Sequence, residues 1–243
     1  MWKMVGNMYA MLTIILFLGS RCKRIISLPQ ILFYSRKMYM KVFDNLVRKQ
    51  FSEGTPLKSM VEFRWHGRGG QGAWTASELL ARTALDEGKY IQSFPEFGPE
   101  RMGAPVTAFT RISTEPIRLH CSIYDPDVVI VLDNTLLKSV PVTAGLNRDE
   151  DSLIINSSEE PAMLKENLRV TKGTVWTVPA TEIALRILGA PITNTALLGV
   201  VAKATDIVTL AGIRKTLRGR FRPDLAEKNF AVIQEAYKEA KMI

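Results

Sequence analysis

A short alternating run, VEFRWH (61–66), leads without a break into the glycine-rich stretch WHGRGGQG (65–72), and this junction restricts the fold more than any other feature. Val61, Phe63 and Trp65 fall on one face of an extended segment, as a half-buried strand requires. The glycines then let the backbone turn tightly and bring N–H groups close to a ligand. AWTASELLARTALDEGKY (73–90) follows, with Ala76, Leu79, Leu80, Thr83 and Ala84 spaced for one buried helical face and Gly88 as a stop. YIQSF (90–94) is a second strand, broken by Pro95. Strand, glycine loop, helix and strand form the opening unit of a doubly wound α/β domain.

Beyond it, VTAFTRIS (106–113) and IRLHCS (117–122) are expected to pair as a hairpin through TEP, which makes His120 a packed strand residue. DVVIVLDN (127–134) reads as a strand buried on both faces. SLIINSS (152–158) and GTVWTVPA (173–180) are further strands. ATEIALRILG (180–189) is helical to Gly189, and TNTALLGVVAKAT (193–205) opens on Thr193 and Asn194 as caps. TLAGIRKTLRGRF (209–221) and PDLAEKNFAVIQEAYKEAKM (223–242) complete a helical C-terminal third. The expected fold class is α/β: a Rossmann-like mixed β-sheet flanked by helices, in one domain over 60–243.

Charge narrows the partners. The formal net charge of +8 resides wholly in residues 1–59, which hold ten Lys/Arg against Asp44 and Glu53. Residues 60–243 balance 22 basic against 22 acidic groups, so a nucleic-acid surface is not expected. The stretch NMYAMLTIILFLGS (7–20) is short for a membrane span and is followed by RCKR rather than a small-residue cleavage site. Three readings of 1–59 stand: a signal-like or anchoring segment, a basic extension, or a start assigned too early, with Met38, Met40 or Met60 as the natural one. The last is preferred, with no function expected of the segment. Cys22 and Cys121 are the only cysteines, whereas an iron–sulfur cluster typically takes four thiolates. No paired metal-ligand spacing and no nucleophile elbow is visible, and a reducing, cytoplasmic setting is the simplest expectation.

Two loops carry the candidate site. Gly67, Gly69 and Gly72 fit G-x-G-x-x-G, and a helix N-terminus behind them favours a phosphate. Gly70, Gln71 and a charge-assisted contact from Arg68 complete the cradle. A ligand-free tight turn is the alternative. Nicotinamide binding would place an acidic residue about 20 positions on, at the end of the second strand; Glu96 is near that distance but lies beyond Pro95. The second loop, FPEFGPERMGAPV (94–106), is stiffened by prolines while projecting Glu96, Phe97, Glu100, Arg101 and Met102. It suits docking on another chain, with Arg101 as an anion partner, or else a solvated turn with a local Glu96–Arg101 pair. His66 is placed to reach a ligand or to serve the core, and Asp133 to act as a site carboxylate or a helix cap. No residue is assigned a catalytic role.

WHGRGGQG and FPEFGPERMGAPV, followed by DPDVVIVLD and then TALLG, resemble the gamma subunit of 2-oxoacid:ferredoxin oxidoreductases, most closely that of the pyruvate type, over residues 61–240. Residues 1–59 have no counterpart in that pattern. The resemblance implies a multi-subunit oxidoreductase that decarboxylates a 2-oxoacid, passes the acyl group to coenzyme A and sends electrons to ferredoxin or flavodoxin. Thiamine diphosphate with Mg2+ and the 4Fe–4S clusters then belong to partner alpha, beta and delta subunits, and none to this chain. The gamma chain is implied in coenzyme A access and active-site closure, which turns the glycine loop into a cradle for the coenzyme's phosphates. Pyruvate is the first choice of substrate. Branched-chain 2-oxoacids, 2-oxoglutarate and a free-standing nucleotide-binding module remain alternatives.

Overall fold

The computed structural model describes residues 59–96 and 102–243. The chain divides into two units at 57/58, and all described residues belong to the second. In chain order the elements are β1 (Met60–Arg68), α1 (Ala73–Asp86), β2 (Tyr90–Pro95), β3 (Pro105–Ser113), β4 (Val128–Val131), a 3-10 turn (Asn134–Lys138), β5 (Ser152–Asn156), α2 (Pro161–Asn167), β6 (Thr174–Val178), α3 (Ala180–Leu188), α4 (Thr193–Thr205), α5 (Leu210–Arg220), α6 (Pro223–Glu239) and β7 (Lys241–Met242). The strands form one mixed sheet in the order β2-β3-β1-β4-β5-β6-β7. β1, β4, β5 and β6 run parallel, while β2–β3, β3–β1 and β6–β7 are antiparallel. The expected α/β class with a helical C-terminal third is what the chain adopts.

Strand alternation divides the core in two. Phe63, Trp65, Ile130, Ile154, Trp176 and Val178 point to the face covered by α1 and by α3–α6. Val129, Val131, Leu153, Ile155 and Val175 point to the other, where Leu164 of α2 and Val142 cover them. The run Val128–Val131 is buried at every position because both faces are covered, the situation in which a parallel strand loses its polar alternation. Trp65 buries its whole ring, and its indole N–H donates to Thr110 Oγ1 at 3.1 Å, so no polar atom is stranded. The five residues spaced for one face of α1 are all buried, and the helix gives out just before Gly88.

The second face under β1, β3 and β2 combines buried charge with the Phe94–Phe109 ring pair. Arg111 on β3 is 1% exposed; its Nε meets Glu62 Oε1 at 2.7 Å and its Nη1 donates to Gln92 Oε1 at 2.8 Å. It also lies over the Phe94 ring, 5.6 Å from the centroid. Arg64 on β1 donates to the carbonyls of Tyr124 at 3.3 Å and Val142 at 3.1 Å, and to that of Ala144. These two guanidiniums pin the irregular segment 114–127 onto the sheet.

The expected 117–122 strand is therefore not formed. The segment has no ladder partner; its carbonyls at Leu119 and Ser122 go to Gln92 and Arg111 side chains. His120 consequently lies exposed and is no packed strand residue. Among the described residues no helix is long and apolar enough to cross a membrane.

Candidate functional site at the switch between β1 and β4

After β1 the chain crosses to α1 on one face, whereas after β4 the segment 137–146 packs on the other. The carboxyl ends of these neighbouring parallel strands thus open a crevice where connections leave in opposite directions, the usual ligand position in open α/β sheets. The glycine loop occupies that crevice. Its two sequence neighbours in space are Asp133, just past β4, and residues 102–104.

The glycine loop is tied to the described end of the second loop, residues 102–104. Gly69 N donates to Ala104 O at 2.8 Å, and Gly103 N donates back to Gly69 O at 3.1 Å. Across them, Arg68 Nε pairs with Asp133 Oδ2 at 3.2 Å, Nη1 donates to Gly103 O at 3.1 Å and Nη2 to Thr135 Oγ1 at 2.8 Å. Gln71 closes the other side, donating through Nε2 to Asp133 Oδ2 at 2.8 Å and accepting from Arg68 N at 2.8 Å. Partial burial pushes the Asp133 carboxyl up. Hydrogen bonds from the Thr135 hydroxyl, Gln71 and Thr135 N, with the Arg68 charge, outweigh it and hold the carboxyl below its ordinary range. Asp133 also caps the 3-10 turn through Thr135 N at 2.9 Å. It caps the turn and at the same time holds Arg68 and Gln71.

Gly72 ends the loop in a left-handed conformation, φ +76°. A β-carbon there would also collide with the side-chain amide of Asn194, which donates to Gly72 O at 3.5 Å. Asn194 is the second residue of α4 and caps nothing in the expected sense; Ile192 stands at the cap position without a side-chain bond. α1 likewise starts with no side-chain cap, so among the described residues its first-turn N–H groups have no side-chain acceptor. Trp74, in the same turn, is 54% exposed, and Met102 across the loop is 94% exposed. Glu96 is exposed at the end of β2. Phe97, Glu100 and Arg101 lie outside the described residues.

Arg68 therefore differs from a free anion contact: three of its nitrogens are committed, and its charge is matched by Asp133. What the crevice offers an incoming anion is backbone, namely Gly70, Gly72 and the uncapped turn of α1. Sequence reading gave Gly67–Gly72, the loop holding Met102, Gly103 and Ala104, and Asp133 by its place at the end of the most apolar strand; it named Asn194 only as a helix cap and did not reach Thr135. An open groove of about 700 Å³ between α1, β2 and α5, lined by Leu79, Arg82, Ile91 and Lys215, lies along the flank of α1 and includes none of these residues.

His66 adjoins the loop, 6% exposed. Burial and then the neighbouring Arg64 charge push its imidazole down to about 4, from an ordinary 6.5. The unfolded chain thus takes up a proton that the folded chain refuses. This contribution is intact above pH 6.5 and is lost as the pH falls from 6.5 towards 4, by up to about 3 kcal/mol. Urea unfolding at pH 7 and pH 4.5 should show a steeper acid loss in the native chain than in His66→Phe. Equal losses would contradict the assignment.

The fold and the crevice define a doubly wound α/β chain with a glycine loop at its switch point. The family description pyruvate ferredoxin/flavodoxin oxidoreductase matches residues 62–239. The pyruvate/ketoisovalerate oxidoreductases common subunit gamma of Pyrococcus furiosus is 52% identical over 183 residues, which is 75% of this chain and 98% of that one. Pyruvate synthase subunit PorC of Methanocaldococcus jannaschii is 48% identical over 180 residues, 74% of this chain and 97% of that one. The crystal structure of pyruvate oxidoreductase subunit PORC from Thermotoga maritima superposes with a TM-score of 0.68 at 39% identity, covering 76% of this chain and 99% of that one. The 2-oxoglutarate:ferredoxin oxidoreductase of Magnetococcus marinus shares the fold at 17% identity and a TM-score of 0.59, over 74% of this chain and 30% of that one. The chain belongs to the pyruvate ferredoxin/flavodoxin oxidoreductase family, and is an oxidoreductase component of the gamma type.

Proposed function

We propose that this chain receives the phosphates of coenzyme A at Gly67–Gly72 within a cytoplasmic pyruvate:ferredoxin oxidoreductase, and that its 94–106 loop docks on the subunits that carry out the redox chemistry. The observation that carries the reading is the interlocked pair of loops at the β1/β4 switch point, set before the uncapped start of α1. A helix N-terminus with free N–H groups is a ready anion site, and the glycines allow close approach. In this arrangement Arg68 and Gln71 hold the loop in shape through Asp133, and the backbone makes the phosphate contacts. Arg101, from the second loop, is the further candidate for an anion contact.

The partners follow from the division of labour. With Cys22 and Cys121 alone, this chain has too few thiolates for a 4Fe–4S cluster, which typically needs four. Those clusters, and thiamine diphosphate with Mg2+, fall to alpha, beta and delta subunits, with ferredoxin or flavodoxin as acceptor. A second substrate is favoured by one finding: the Pyrococcus furiosus relative is named as common to pyruvate and ketoisovalerate oxidoreductases. We read this chain as shared in the same way.

In the natively purified complex, Asp133→Ala should release both Arg68 and Gln71 and raise the apparent KM for coenzyme A about tenfold, the loss of about 1.4 kcal/mol from a charge-assisted contact. The KM for pyruvate should not move. An unchanged coenzyme A KM would rule out the cradle, and purification of a solitary chain would favour an independent nucleotide-binding module.

A further inference from the structure

His66 takes no part in the clamp around Asp133, yet it is held as firmly. Its Nε2 lies 3.1 Å from Arg64 Nε. Arg64 is fixed in turn by the carbonyls of Tyr124, Val142 and Ala144, so it cannot swing away. Arginine nitrogens only donate, so Nε2 must be the lone-pair nitrogen, and the imidazole proton resides on Nδ1.

That Nδ1–H has no partner among the described residues. Among the described residues the fully buried side-chain nitrogens without partners are Trp176 Nε1 and Arg214 Nε, and His66 Nδ1 is not one of them. The Nδ1–H is therefore unpartnered without being wholly sealed off, in a residue that is 6% exposed. Residues two apart on a strand share a face, which sets the imidazole beside Arg68 on the face opposite α1. Arg68 there spans Gly103 and Thr135. The bond from Arg64 gives Nε2 a structural role, but it leaves the Nδ1–H, one residue ahead of the glycine loop, with none.

The charges around it are compensated. Arg64 feels Glu96 beyond β2 and Asp125 on the 114–127 segment, and Arg68 is matched by Asp133. A neutral N–H donor can be satisfied there by a neutral acceptor such as an amide carbonyl, with no further charge to be matched. Coenzyme A carries two amide carbonyls on the pantetheine arm that leaves its pyrophosphate.

We propose that His66 is a ligand-contacting residue whose Nδ1–H donates to an amide carbonyl of the pantetheine arm, with Arg64 as the positioning residue that fixes the tautomer. This rests on the reading of Gly67–Gly72 as the seat of the coenzyme's phosphates. Burial and the Arg64 charge keep the ring neutral at physiological pH.

The test uses the natively purified complex with His66→Phe, His66→Gln and Asp133→Ala, and two probes: coenzyme A as substrate, and adenosine 3′,5′-bisphosphate, which lacks the arm, as competitive inhibitor. His66→Phe should raise the coenzyme A KM about five- to tenfold, the cost of one hydrogen bond, while leaving the inhibition constant unmoved. His66→Gln, which keeps an N–H donor, should recover part of the loss. An unchanged KM in His66→Phe, or equal weakening of both probes, would overturn the proposal. If Asp133→Ala also leaves both probes unaffected, the cradle itself is wrong, and the two failures are thereby told apart.

Discussion

Glu62→Ala is expected to destabilise the folded chain by about 3–4 kcal/mol, because it strands the Arg111 charge in the sheet. Arg111 is almost wholly enclosed between β1, β2, Phe94 and the 114–127 segment, and Glu62 is its only carboxylate among the described ion pairs. Gln92 Oε1 and Ser122 O would remain as acceptors, but a neutral oxygen does not offset a buried full charge. The double replacement Glu62→Leu with Arg111→Met should be markedly more stable than Glu62→Ala, since it removes both charges together. Urea unfolding of the two variants checks this. A single variant within 1 kcal/mol of the native chain would mean that the pair is solvated and the buried reading wrong. Hydrogen exchange should also rise at 119–123 in Glu62→Ala, because Arg111 tethers that segment and with it the exposed Leu119 and the 74%-exposed Tyr124.

Gly199→Ala should be comparably damaging, by about 3 kcal/mol, through overpacking rather than charge. Gly199 lies mid-α4 with ordinary helical geometry, so alanine would favour the helix itself by about 1 kcal/mol. A β-carbon, however, would run into the backbone carbonyl of Ile233 on α6. A side chain can rotate aside, but a helical carbonyl cannot, so α4 and α6 must separate. Val200, Val201 and Ile233 would then lose contact in the principal core. A lowered melting temperature with retained helical circular dichroism is the expected result. An alanine variant as stable as the native chain would show that the two helices can part without loss.

How much of this was legible beforehand depended on range along the chain. Strand, loop and α1 were readable because period and glycine placement are local. The helical third followed from apolar spacing, and Gly189 stops α3 in the left-handed conformation expected of a terminal glycine. Short elements escaped: α2 has seven residues and β7 two, too few to establish a period. The 117–122 segment was misread because Ile117 and Leu119 alternate as a strand would. Its backbone partners turned out to be side chains on the sheet beneath it.

For the site, the sequence determined the glycine loop, its place between a strand and a helix, and the family to which those residues belong. It could not show that Gly69 and Gly103 are joined, or that Arg68 spends its charge on Asp133, 65 residues away. Those contacts exist only because β1 and β4 are neighbours in the sheet, with β3 returning residues 102–104 to the same edge. The same neighbourhood turns Arg64, Arg111 and His66, polar letters on alternate strand positions, into a largely buried polar layer in place of a solvent face. Local periodicity decides which residues form an element. Which face is covered, and by what, is settled only when the elements pack.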